Sequence, residues 1–372
     1  MTDPIPLVDL AWQHAEVAAE VSKGLEGVFA RTAFVLGPEV AEFERRFAEF
    51  QGVAHCVGVA NGTDALELAL RAVGVEPGQE VVLPANTFVA SAFAAQRMGA
   101  VPVLVDVRPD TLLMDCEAAV SAVGPRTGAV MPVHLFGQMA AMEALASLAS
   151  VGVPVVEDAA QAQGASRSGV GAGAWGAAAG TSFYPGKNLG AYGEAGAVLS
   201  QSDEVAARVR ALRNMGSEVK YEHPVFGCNS RLDTVQAVVL DVKLRRLAAW
   251  NAERAAAAER YAGLLGGIDG VVLPTVDPAN VHVWHLYVVR VPERDRVLSA
   301  LQAAGIGAGI HYPVPVHLHG AFASLGYGRG DFPVSEEAAA SILSLPMFPG
   351  ITAAQQERVA EALAEALAEV LR

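Results

Sequence analysis

The chain has 372 residues, 52% of them hydrophobic, and carries a formal net charge of −14. It is long enough to bury a large core in roughly two domains, which excludes a disordered scaffold. The acidic charge is spread along the chain without a basic cluster, which excludes a nucleic-acid partner recognised through its phosphates.

The first residues, Met1 to Pro6, show no basic stretch followed by an apolar one, and no later segment offers about 18 uninterrupted apolar residues, so neither export nor a membrane span is expected. Cys56, Cys116 and Cys228 stand far apart without metal-ligand or redox spacing, which fits a cytoplasmic protein with three buried thiols. Short apolar runs at 80–83, 101–107, 129–134, 153–158, 181–183 and 195–200 alternate with helical stretches. This alternation predicts an α/β fold with a mostly parallel central sheet flanked by helices. Ligands in such sheets collect at the carboxyl ends of the strands. Asn61, Phe88, Asp158 and Ser182 each fall at or just after such an end, so the pattern predicts that they converge.

Residues 233–265 read as one proline-free helix connecting a large domain, 1–245, to a smaller α/β domain, 246–372, against which the first dozen or so residues are able to pack. A strand is expected at 284–291, a helix at 293–304 and a terminal helix at 352–371. Thr352 and Gln355 form a capping box for the last of these, and Val359, Leu363, Leu367 and Val370 trace its core-facing stripe.

The most informative residue is Lys187, in Ser182-Phe183-Tyr184-Pro185-Gly186-Lys187-Asn188, 29 positions after Asp158. A lysine can hold a cofactor aldehyde as a Schiff base, and a carboxylate can keep a pyridine nitrogen protonated so that the ring absorbs electrons. Together the two suggest a pyridoxal phosphate (PLP) enzyme, although each alone has an ordinary reading as a surface cation or a helix cap. Asn61-Gly62-Thr63-Asp64-Ala65 opens a helix whose free amides and glycine suit a phosphate. Gly171-Ala172-Gly173-Ala174-Trp175-Gly176 matches G-x-G-x-x-G, with Glu194 18 residues beyond. It follows polar residues and leads into a strand, the reverse of the dinucleotide arrangement, so it reads as a tightly turning loop. His282, His285, His311, His317 and His319 lack the spacing of a zinc site, and no metal is expected. The prolines of His311-Tyr312-Pro313-Val314-Pro315-Val316-His317 make a stiff loop that aims His311 and Tyr312 at a ligand. There is neither a G-x-S-x-G elbow nor a phosphate-binding G-x-x-x-x-G-K-[ST] loop.

The chain resembles the PLP-dependent nucleotide-sugar aminotransferases of the DegT/StrS family, within the aspartate aminotransferase fold, fold type I. The resemblance runs from Pro6-Leu7-Val8-Asp9-Leu10 through Asn61 to Leu66, Pro132-Val133-His134-Leu135-Phe136-Gly137 and Glu157-Asp158-Ala159-Ala160-Gln161. It continues through Ser182 to Gly190 and Asn229-Ser230-Arg231-Leu232-Asp233 to the loop from His311 to His317. It implies that Lys187 forms the internal aldimine and shuttles the proton, and that Asp158 pairs with the pyridinium. Gln161 would meet the phenolic oxygen and Phe88 would stack on the ring. Gly62, Thr63 and Ser182 would hold the phosphate, with Asn229 reaching in from the neighbouring subunit of an obligate homodimer. Tyr184, Tyr221, Arg231, His311, Tyr312 and His317 would meet the substrate. The implied reaction moves an amino group from glutamate, through pyridoxamine phosphate, to a keto-hexose on a dTDP- or UDP-linked sugar. The loop from His311 to His317 leans towards C-3, with C-4 amination the alternative. A sugar dehydratase, which typically replaces the lysine with histidine, and a non-catalytic regulatory homologue are the rival readings. One departure is Gln163, where many relatives carry histidine.

Overall fold

The computed structural model describes residues 3–372. Its large sheet uses seven strands: β1 (His55–Val59), β2 (Glu80–Pro84), β3 (Val101–Val105), β4 (Thr127–Val130), β5 (Val156–Asp158), β6 (Ala178–Ser182) and β7 (Gly196–Ser200). They lie in the order β1-β7-β6-β5 and β4-β2-β3, the two groups meeting where Val130 bridges Val155 and Val133 bridges Asp158, both in parallel. β2, β3 and β4 are parallel, as are β5 and β6; β7 runs antiparallel to both its neighbours. The apolar-run pattern does not mark β1 because Gly58 interrupts it. That glycine lets the strand approach Leu232, whose side chain would lie 2.7 Å from an added Cβ.

Sequence sets how closely the covering helix sits. β6 reads Ala-Ala-Gly-Thr-Ser, and a Cβ at Gly180 would fall 2.7 Å from the Leu66 side chain, so the helix Gly62–Ala72 lies directly on this strand. Ala65, Leu66, Leu68, Ala69, Leu70 and Ala72 are all buried, while Asp64, Glu67 and Arg71 keep a narrow polar face for ion pairs. Its start is thereby fixed against the carboxyl end of β6.

The helix Thr234–Leu265, 32 residues and so about 48 Å long, carries the chain out of this core. Its last turns, with Ala257, Ala258, Tyr261 and Leu265, join a separate apolar cluster built on β8 (Tyr287–Arg290) and β9 (Ile342–Leu345), which pair antiparallel. Helices Arg294–Ala303 and Ala353–Val370 complete that cluster. Ile5 enters it too, bridging Ile306. The terminal helix is capped reciprocally by Thr352 and Gln355, and Val359, Leu363 and Leu367 are fully buried, each contributing about 2 kcal/mol of transfer free energy. Of the cysteines, Cys56 and Cys116 are buried while Cys228 is only partly covered, so the expectation of three buried thiols holds for two. Among the described residues no helix is long and apolar enough to cross a membrane.

Candidate active site

The carboxyl ends of β2, β5 and β6 open into a cavity of about 630 Å³, closed on its far side by residues near the second core. Asn61, Gly62, Thr63, Phe88, Asp158, Gln161, Ser182, Tyr184, Lys187, His311 and Tyr312 all line it, joined by Leu7, Val8, Thr87, Glu194 and His285. Strands that diverge beyond their last hydrogen bonds leave such a crevice, and residues far apart in sequence share it because each ends or follows a strand.

At one end lies the start of the helix Gly62–Ala72. Asn61 caps it, its side chain accepting from Asp64 N at 2.8 Å, while Ala65 N donates to Asn61 O. The amides of Gly62 and Thr63 keep no acceptor among the described residues, and both residues line the cavity with Ser182. Two free amides, a hydroxyl and the positive end of a helix make an anion cradle. Gly62 is required there: an added Cβ would lie 2.5 Å from Ser182 Cβ. Gly62→Ala is expected to weaken phosphate-cofactor binding about ten- to a hundredfold, as overpacking of 1–3 kcal/mol implies. A spectroscopic titration with PLP checks this.

Asp158 ends β5 and is 5% exposed. Ser91 Oγ donates to its Oδ2 at 2.7 Å and Ala160 N to its Oδ1 at 3.1 Å. Burial raises its pKa, opposed by these hydrogen bonds and by the Lys187 charge. A desolvated carboxylate held between neutral donors at a cavity wall is suited to pairing with a cation inside the cavity. Behind it, Glu157 is buried and accepts from His134 Nε2 at 2.8 Å and from the amides of Gly173, Trp175 and Gly176 at 2.8, 2.9 and 2.7 Å. The glycine-rich loop expected to turn tightly therefore wraps a carboxylate and stiffens the strand that carries Asp158.

Lys187 follows β6 in a turn closed by its own N–H to Tyr184 O at 2.8 Å. Burial lowers its amine to about pKa 8, against the opposing pull of Asp158. Phe88 is half exposed, its ring centroid 5.1 Å from that of Tyr312 at an interplanar angle of 36°. Gln161 is oriented by both ends of its amide: Oε1 accepts from Phe136 N at 2.6 Å, and Nε2 donates to Tyr312 Oη at 3.0 Å. His311 Nδ1 lies 2.8 Å from Ser344 Oγ, and burial, with the Lys187 charge, lowers its pKa to about 4.

Four of the expected residues lie elsewhere. Tyr221, 83% exposed, and Asn229 sit on the outer surface. Arg231 is turned to Asn214 Oδ1 at 3.1 Å. His317 is buried against Phe332 with Nε2 3.0 Å from Glu336 Oε1, so its ring serves packing and not the cavity of its own chain. Gln163 also stays out of the cavity: its Nε2 donates to the carbonyls of Ala160 and Ser182 and to Thr181 Oγ1 at 2.8 to 3.1 Å. Sequence reasoning missed Ser91 and Thr87, which no motif marks, and His285, whose proximity to His282 in sequence suggests only a metal pair.

The cavity fits pyridoxal phosphate. It offers an anion cradle that a Cβ would fill, a buried carboxylate lacking a cation, an exposed aromatic face and an amine of lowered basicity. The family model for DegT/DnrJ/EryC1/StrS aminotransferases matches residues 16–364. A dTDP-3-amino-3,4,6-trideoxy-alpha-D-glucose transaminase of Streptomyces venezuelae is 44% identical over 98% of this chain and 96% of its own. A pleiotropic regulatory protein of Geobacillus stearothermophilus is also 44% identical, over 97% of this chain and 98% of its own. The crystal structure of S. venezuelae DesV in complex with a ketimine intermediate superposes with a TM-score of 0.95 at 44% identity, covering 98% of each chain. With the cavity as described, these matches make the chain a fold type I, PLP-dependent enzyme that belongs to the DegT/DnrJ/EryC1/StrS aminotransferase family.

Proposed function

We propose that this enzyme transfers an amino group from L-glutamate to C-3 of a keto-hexose carried on a dTDP- or UDP-linked sugar, and that it works in the cytoplasm as a homodimer with shared active sites. The observation that carries the reading is the meeting of Lys187 and Asp158 across one cavity whose far end is an anion cradle. The position of the amino group follows the name of the S. venezuelae transaminase.

Bound here, PLP supplies a carbon that takes up and returns the amino group, and a protonated ring that withdraws electrons. Gly62 N, Thr63 N and the Ser182 hydroxyl would hold its phosphate. Asp158 would pair with the ring nitrogen and hold a proton there, its carboxylate kept from turning by Ser91 and Ala160. Phe88 would cover one ring face and Gln161 would meet the ring's oxygen. Lys187 Nζ would be the group that carries the proton released from the donor's α-carbon, and would return one in the reverse sense for the sugar. An amine lowered to about 8 is roughly half neutral at that pH, against a few parts per thousand for an ordinary lysine, so it can act as a base.

The dimer is supported by Asn229, which is exposed and does not line the cavity of its own chain, and by the apolar surface around it. Met215, Val219, Val225 and Phe226 are between 49% and 89% exposed, more than a soluble monomer commonly presents in one segment. The division at 245 falls inside the unbroken helix Thr234–Leu265 and rests on the separate apolar cluster beyond it.

The test is a two-step assay on the purified PLP-loaded protein. Glutamate is expected to convert the cofactor absorbance to that of pyridoxamine phosphate, and a dTDP-linked 3-ketosugar to restore it about a hundredfold more efficiently than the 4-keto isomer. Preference for the 4-keto sugar would reverse the regiochemistry, and no response to glutamate would remove the aminotransferase reading.

A further inference from the structure

His285 lines the cavity but belongs to none of the motifs that carry the family resemblance. It is 7% exposed, and its protonation can be read from the hydrogen bonds behind it. Asn251 Nδ2 donates to the carbonyl of Gln163 at 2.9 Å, so Asn251 Oδ1 is an acceptor. Asn188 Nδ2 donates to that oxygen at 2.9 Å and to the carbonyl of Val283 at 2.8 Å; two acceptors fix this atom as the nitrogen. Asn188 Oδ1 is therefore what faces His285 Nδ1, at 3.2 Å, and the ring must carry its proton on Nδ1. Burial holds the ring neutral, and the charges of Lys187 and Arg254 nearby act in the same direction. Nε2 is thus a bare lone pair with no donor among the described residues, in a cavity whose wall also holds Lys187. The Lys187 amine likewise has no hydrogen-bond acceptor there, and its neighbour in sequence, Asn188, is the residue that orients the imidazole.

We propose that His285 is a positioning residue for Lys187: in the pyridoxamine phosphate form its Nε2, unpaired among the described residues, accepts a hydrogen bond from the Lys187 amine, holding the proton carrier at one wall between its two proton transfers. The proposal rests on the role given to Lys187 above. Asn188 anchors the backbone of the lysine through its position and the acceptor through its side chain, so base and acceptor move together.

The full chain loaded with pyridoxamine phosphate, which leaves the lysine amine free, tests this. Selective ¹⁵N labelling of histidine is expected to show His285 neutral with Nδ1 protonated and Nε2 bare at pH 7; the opposite tautomer or a charged ring overturns the proposal. His285→Asn keeps a donor for Asn188 Oδ1 but removes Nε2. Acetylation of Lys187 across pH, read by peptide mass, is expected to show its midpoint falling by about one pH unit in this variant, because a hydrogen bond to the charged amine is lost. An unchanged midpoint means that His285 only tethers Asn188, and overturns the proposal. If the variant does not fold, the tautomer in the unmodified protein decides alone. Borohydride reduction of the PLP-loaded protein marks Lys187 whether or not His285 acts on it, which separates failure here from failure of the lysine's own role.

Discussion

Lys187→Ala is expected to lower kcat/KM by about three orders of magnitude or more while leaving the fold intact and PLP weakly bound. The loss would combine the covalent anchor with the only lysine amine lining the cavity among the described residues, and general-base steps alone are commonly worth 10²–10⁴. No other lining residue substitutes for it. His285 and His311 are held neutral by burial, and His311 is tied through Nδ1 to Ser344. Turnover in half-reactions with glutamate measures the loss. Retention of more than about a tenth of the activity would contradict the assignment.

Asp158→Asn is expected to cost about 10²–10⁴ in turnover, because an amide cannot hold a proton on the ring nitrogen. The effect on stability has the opposite sign in the unloaded protein. Burial raises the folded-state pKa of Asp158 above its ordinary value, so its ionisation weakens the unloaded fold as pH rises through the carboxylate range. The asparagine variant carries no such charge and is expected to melt higher than the parent without PLP at pH 7, while gaining less from added PLP. Parallel melting curves with and without cofactor read both. A variant with less stability and unchanged cofactor response would show that Asp158 serves packing and not the cofactor.

The two effects together describe a site that trades stability for function. Asp158 is desolvated between neutral donors and Lys187 is kept partly deprotonated; each is disfavoured in the unloaded protein, and a phosphorylated pyridine cation would pair with the first while its aldehyde would take up the second.

What sequence made legible was the sheet with its crossover helices and the residues at strand ends. Both depend on local rules: apolar runs bounded by turns for the first, and the geometry of parallel sheets for the second. The terminal helix and its capping box were equally readable, because cap and stripe lie within a few residues of one another. β1 escaped notice because Gly58 there answers to Leu232, a partner 174 positions away. Ser91 escaped for the same reason: its meaning is the hydrogen bond to Asp158, 67 positions on. Gln163 departs from the residue many relatives carry, and its amide nitrogen is taken up by Ala160 O, Thr181 Oγ1 and Ser182 O, contacts that composition does not reveal. Tyr221 and Asn229 lie outside the cavity of their own chain, as surface residues would if they completed the site of a second copy.

The central claim is that Lys187, and no other amine, carries the cofactor. The chain contains four lysines, Lys23, Lys187, Lys220 and Lys243, so the claim has a direct chemical reading. Reduction of the PLP-loaded protein with borohydride, followed by digestion and peptide mass analysis, is expected to place one phosphopyridoxyl group on the peptide containing Lys187. A label on the peptide of Lys243, the other buried lysine, or of Lys23 or Lys220, with Lys187 unmodified, would contradict it.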